Sequence, residues 1–247
     1  LYMIETIIFD LDGTLLPMNE ERFQKAYFSL LSKKAESLGY DGDDMIKAVL
    51  SSTAAVLKND GKETNESVFW KSFCEIYGSK AYNDKPLFEE FYGNEFNLAR
   101  SSCGYDERAS MTVDELRRRG YTLILATNPV FPRSAILARL KWAGVDASAF
   151  KRITTYENSS WCKPKIGYYE EILEKENMDG KKCMMIGNDA EEDMIATTIV
   201  SKGFLLTDYL INRKNIDITR MPHGGYPALW RFLDDTLAGG FEITKED

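Results

Sequence analysis

The run Ile7-Ile8-Phe9-Asp10-Leu11-Asp12-Gly13-Thr14-Leu15-Leu16 places two aspartates, one residue apart, at the end of an apolar segment that breaks at a glycine. A short apolar run ending at a turn signal reads as a buried strand of a parallel sheet. Asp10 then stands at the strand's carboxyl end and Asp12 just beyond it, where open α/β sheets bind ligands. Alternate strand residues share a face, so the two carboxylates are brought close. A divalent cation relieves their repulsion, and the pair has the chemistry of a nucleophile and a general acid/base. The same letters also suit an acidic strand-to-turn junction, with Asp12-Gly13 as turn formers. The later strands decide between these readings.

Downstream of Thr14 the pattern changes to helical spacing. Phe23, Tyr27, Leu31, Ala35 and Leu38 form one stripe that stops at Gly39. Met45, Val49, Thr53, Val56 and Leu57 form a second, ending near Asn59-Asp60-Gly61. Phe69, Phe73, Ile76 and Tyr77 form a third, closed by Gly78. The fourth is expected to open at Asp84 and Pro86, a cap and a first-turn proline, and to run through Phe88, Phe91, Tyr92 and Phe96. These stripes can bury one another as a small bundle.

From about Tyr105 helices and strands alternate. Strands are expected at Tyr121–Ala126, Arg152–Thr155, Cys183–Ile186 and Gly203–Thr207. Helices are expected around Asp106–Arg119, after Pro129, after Pro164, from about Glu191 to Ile199, and over Ala228–Leu237. The stretch from Asp208 to Tyr226, His223 included, reads as loop and turn. Alternation of this kind implies right-handed crossovers and a doubly wound parallel sheet. The expected organisation is an α/β core domain of residues 1–16 and 105–247, with a helical insert at 17–104 over the carboxyl ends of the strands, placed as a lid.

Three further strand ends carry polar residues. Thr127 ends the second strand, followed by Asn128, and its hydroxyl can donate to an anionic oxygen. Lys163, before Pro164, sits at a helix N-terminus, where a cation opposes the helix dipole; that local conflict suggests a task. The fourth strand ends in Gly187-Asn188-Asp189, with Asp193 one helical turn beyond. Asn188 and Asp189 offer hard oxygen donors of the kind magnesium takes. First-turn acids and N-caps would look the same.

In this order the four strand ends resemble the motifs of the haloacid dehalogenase-like superfamily: DxDGT, an apolar strand ending in Thr, Lys-Pro, and a glycine followed by acidic residues. The resemblance implies a Rossmann-like core with a helical cap domain between the first and second motifs. It also implies a magnesium-dependent phosphatase acting on a small phosphorylated metabolite. Asp10 would be nucleophile, Asp12 acid/base, and Thr127, Asn128 and Lys163 would bind the phosphoryl group. Mg2+ would be held by Asp10, Asp12 and the Asn188–Asp189 pair, with Asp193 bracing Lys163 or the metal's surroundings. The family usually has aspartate directly after the glycine; here it is Asn188, which leaves the ligand open between Asn188 and Asp189. That departure also leaves room for a non-catalytic binding protein on the same scaffold, and a phosphomutase would use the same residues.

Other classes are disfavoured. The 247-residue chain carries a net charge of −8 and no dense basic stripe, against nucleic acid as a main partner. No GxGxxG follows the first strand, against a dinucleotide-binding oxidoreductase. Four cysteines without a CxxC pair and a single histidine argue against a zinc site. Neither a secretory signal nor a membrane-spanning run is read, so a cytoplasmic, reduced protein is expected. Cys162 adjoins Lys163, which could lower its pKa, but it reads as a bystander.

Overall fold

The computed structural model describes residues 3–243; residues 1–2 and 244–247 of the expected core lie outside them. Its centre is a parallel sheet of β1 (Thr6–Phe9), β2 (Thr122–Leu125), β3 (Arg152–Ile153), β4 (Cys183–Gly187), β5 (Lys202–Leu206) and β6 (His223–Gly224), in the order β3-β2-β1-β4-β5-β6. The register pairs Ile7 with both Leu123 and Met184. The strand order reverses between β1 and β4, and the crevice outside their carboxyl ends is where such sheets take ligands.

Every residue of β1 is buried, as expected of a parallel strand covered on both faces. Ile7, Phe9, Leu123, Leu125, Met184 and Ile186 point into one apolar cluster, with α5 (Glu107–Arg118), α6 (Arg133–Trp142) and α8 (Tyr226–Thr236). Ile8, Ile124 and Met185 point into the other, with α7 (Ile166–Lys175). The period-2 alternation of strand side chains produces this division. Arg117 and Arg118 fall in the last turn of α5, where cations suit the dipole, and pair with Asp146 and Glu115.

Between β1 and α5 run α1 (Glu20–Ser37), α2 (Gly42–Leu57), α3 (Asn65–Tyr77) and α4 (Ser79–Gly93), then a 3-10 segment, Glu95–Ser102. Asn19, Asp41 and Thr64 cap the first three helices by accepting backbone N–H bonds. Their aromatic stripes pack edge-on, as with Phe73 and Phe88 at 6.1 Å. Phe96 stacks on Trp142 of α6 at 5.1 Å, so the apolar packing runs unbroken from these helices into one face of the sheet. The chain leaves and rejoins the sheet side by side: Met18 pairs antiparallel with Cys103, and Gly104 N–H donates to the Pro17 carbonyl at 2.8 Å.

Three local expectations need correction. α4 begins at Ser79 and carries Pro86 inside it; burial of Ala81 before the proline and of Phe88 and Phe91 after it outweighs the one backbone bond a proline removes. The helix expected from Glu191 is only a 3-10 segment, Met194–Thr198. There Asp189 takes the N–H groups of Glu191 and Glu192, and the Thr197 and Thr198 hydroxyls bond back to the carbonyls three residues earlier. The stretch around His223 is not all turn, because His223–Gly224 adds a sixth, edge strand against Leu205 and Leu206. Among the described residues no helix is long and apolar enough to cross a membrane.

Candidate active site

β1 delivers Asp10 to the crevice, 7% exposed, and the turn after it is closed by Gly13 at φ +88°. A Cβ on Gly13 would overlap the Asn188 amide; glycine lets the first strand end and the fourth meet. Gly13→Ala should therefore cost about 1–2 kcal/mol from the backbone alone, plus displacement of Asn188. Urea denaturation should show the stability loss.

The Lys163 ammonium lies 2.7 Å from Asp10 Oδ1 and 2.6 Å from Asp193 Oδ1, with all three side chains buried. Burial alone would lower the lysine's pKa, but the two carboxylates outweigh it and hold it well above the ordinary lysine range. Two carboxylates share one ammonium, so burial, aided by Asp10, leaves Asp193 above the usual carboxylate range despite Lys163. Asp193 Oδ2 also accepts the Asp189 N–H at 2.9 Å. A Cβ on Gly187 would overlap that carboxylate, which is the close approach this glycine permits. Asp193 thus stands behind Lys163 with both oxygens engaged.

Asn188 and Asp189 face different ways. Asn188 Oδ1 and Asp10 Oδ2 lie 3.1 and 3.2 Å from one Thr14 hydroxyl. A hydroxyl has a single proton to donate, so one of these two oxygens is always short of a donor. Asp189 is committed elsewhere: Oδ1 to the N–H groups of Glu191 and Glu192, Oδ2 to Arg213 at 3.0 Å. Among the described residues no group of three or more His, Cys, Asp or Glu side chains is arranged to hold a metal; Asn188 occupies the position where a third acid would be. The donor set of Asp10, Asn188 and the adjoining Asp12 is nonetheless all hard oxygen, under-supplied with donors, and fits Mg2+.

Asp12 is partnered by a residue the sequence reading did not name. Arg139 of α6, 2% exposed, forms an ion pair through Nη1 with Asp12 Oδ2. Its guanidinium lies over the Phe131 ring at 4.6 Å. Burial raises the Asp12 pKa, Arg139 opposes the rise, and Asp10 adds to it. Asp12 Oδ1 and Arg139 Nη2 are buried without a hydrogen-bond partner. Thr127 and Asn128 line the same cavity, and Asn128 Oδ1 is likewise buried and unpartnered. The Thr127 carbonyl is held by Thr154 and Tyr168 hydroxyls at 2.8 and 2.9 Å. The structure thus brings Asp10, Asp12, Thr127, Asn128, Lys163, Asn188, Asp189 and Asp193 to the lining of one cavity. Cys162 is buried, and burial pushes its thiol up to about 12; it has none of the character of a reactive thiolate.

A model of the haloacid dehalogenase-like hydrolase family matches residues 4–197. Among solved structures, a haloacid dehalogenase-like phosphatase from Thermococcus onnurineus is 18% identical, with a TM-score of 0.56 over 98% of this chain and 100% of that one. A predicted phosphoglycolate phosphatase from Haemophilus somnus 129PT is 17% identical, with a TM-score of 0.56 over 94% and 99% of the two chains. YfnB of Bacillus subtilis, described as a hydrolase of the same superfamily and bound to magnesium, is 17% identical, with a TM-score of 0.54 over 94% and 99%. Dehalogenases share the fold as well. At these identities the likeness speaks for the fold alone. No curated protein matches the chain.

Proposed function

Starting from a chain that belongs to the haloacid dehalogenase-like hydrolases, we propose a Mg2+-dependent phosphatase that hydrolyses a small phosphomonoester through an aspartyl-phosphate on Asp10. The observation that carries this reading is the Lys163 ammonium 2.7 Å from Asp10, in the same cavity as Asp12. That arrangement joins a carboxylate nucleophile, a cation for the transferred group and a second carboxyl to handle protons. Asp12 favours an ester over a carbon–halogen bond, since an alkoxide must be protonated as it leaves and a halide need not be.

Asp10 attacks phosphorus as the bond to the ester oxygen breaks, and Asp12 gives its proton to that oxygen. Asp12, now a carboxylate, takes a proton from the water that attacks the aspartyl-phosphate, which releases inorganic phosphate and restores Asp10. Lys163, the Thr127 hydroxyl and the Asn128 amide hold the phosphoryl oxygens. Mg2+, held by Asp10, Asn188 and the Asp12 backbone carbonyl, would neutralise charge on the phosphoryl group. Asp193 and Asp189 support the site from outside: Asp193 fixes Lys163, and Asp189 shapes the turn after β4.

Chelation should reduce phosphate release from a phosphomonoester to background, and added Mg2+ should restore it; turnover that survives exhaustive chelation would count against the proposal. Arg139 positions Asp12 and opposes the rise of its pKa. In Arg139→Met the carboxyl should hold its proton more tightly and serve less well as the base of the second step. The variant should lose part of the roughly 10²–10⁴-fold that acid–base catalysis contributes, and acid quench should trap more aspartyl-phosphate than in the parent.

A further inference from the structure

We propose that the substrate's leaving group is apolar and uncharged, of the alkyl or aryl class, rather than a carboxylate-bearing acid or a sugar. The inference rests on the phosphatase reading above and concerns the same cavity, of about 340 Å³, which runs from Asp10 up among the helices of the insert. Beyond the aspartates its wall is made by such residues as Phe28, Leu31, Val49, Leu57, Phe69 and Phe88. Apolar lining is common in ligand sites; the distribution of charge is what discriminates here.

Among the described residues that line the cavity, Arg139 and Lys163 are the cations, and both come from the core. Lys163 is shared by Asp10 and Asp193, and Arg139 is paired with Asp12. The insert contributes Glu20 and Glu89 but neither lysine nor arginine. Those two acids are half exposed and paired with Arg213 and Lys85, so the insert's wall holds no cation for a second anion on the substrate, which would have to compete with Asp12 for Arg139. A sugar fares little better, because its hydroxyls need partners. The insert offers Gln24, Thr53, the half-exposed carboxylates of Glu20 and Glu89, which are already paired with Arg213 and Lys85, and the Tyr27 and Tyr92 hydroxyls, which bond each other at 2.9 Å. A hydroxyl buried in an apolar pocket without a partner costs about 1–3 kcal/mol, so a sugar with several of them is discriminated against by about 100-fold or more. An alkyl chain or ring meets aromatic faces and needs nothing more. The unpartnered Arg139 Nη2 lies beside Asp12, where it can serve the neutral ester oxygen.

The test is kcat/KM with Mg2+ for hexyl phosphate, glucose 6-phosphate and 3-phosphoglycerate, three alkyl esters whose leaving groups are of similar reactivity. Hexyl phosphate should be preferred by about 100-fold or more over each of the others. Thr53→Lys sets an ammonium on the wall and should move the ratio of 3-phosphoglycerate to hexyl phosphate by about tenfold toward the acid. Glucose 6-phosphate or 3-phosphoglycerate turned over as well as hexyl phosphate would overturn the inference and leave the phosphatase reading standing. For the acid, that result would make Arg139 its partner. Phosphate release from none of the three, indistinguishable from Asp10→Asn, would remove the phosphatase reading and this inference together.

Discussion

Asp10→Asn should lower kcat for any phosphomonoester the protein accepts by about 10⁴-fold or more, a loss typical of removing a nucleophile. The amide keeps the shape of the carboxylate but cannot form the acyl phosphate. The fold should survive, because Lys163 keeps Asp193 at 2.6 Å as its counter-ion and Thr14 keeps an oxygen to donate to. Phosphate release after rapid mixing reads the first effect, and thermal melting by circular dichroism reads the second. A variant that melts like the parent and retains kcat within tenfold would show that the reaction does not pass through Asp10.

Lys163→Met should be nearly as damaging to turnover and far more damaging to stability. It leaves Asp10 and Asp193 buried against each other with no cation between them. Removing one partner of a buried charge pair costs about 3–5 kcal/mol. The loss should depend on pH in a defined direction. Burial already holds Asp193 above the ordinary carboxylate range, and Lys163 is the main influence opposing it. Without the lysine the folded-state pKa rises further above the unfolded value. A carboxyl in that state binds more protons folded than unfolded, so stability grows as pH falls and declines as pH rises past about 4. The deficit relative to the parent should thus be larger at about pH 7.5 than at about pH 5 in urea denaturation. A deficit that did not vary with pH would mean the lysine acts through packing.

What could be read from the sequence was what depended on short stretches. An apolar run, a turn signal and a polar residue at a strand end were enough to arrange Asp10, Thr127 and Asn188 around one crevice, because parallel strands carry their carboxyl ends to the same side. Lys163, ten residues past the end of β3, showed instead as a cation set before a helix against its dipole. Arg139 gave no such sign. It lies on α6 in ordinary helical sequence, and its partner Asp12 is separated from it by 127 residues. Only the packing of α6 on the sheet makes them a pair. The different settings of Asn188 and Asp189 were equally hidden, since Arg213 and two backbone N–H groups draw the Asp189 carboxylate aside. The two-residue β6 is too short for any periodicity to register.

The pairing of Met18 with Cys103, with Pro17 held to Gly104, has a consequence for how such a molecule can diversify. To the sheet, everything between those residues is one closed loop whose ends are fixed a strand's spacing apart. The entropy of closing a flexible loop grows only with the logarithm of its length, about 0.6 kcal/mol per doubling. Lengthening or rebuilding that excursion is therefore cheap for the scaffold, provided the new segment covers the same apolar face. Selectivity can drift in a lineage while the reacting groups stay where they are.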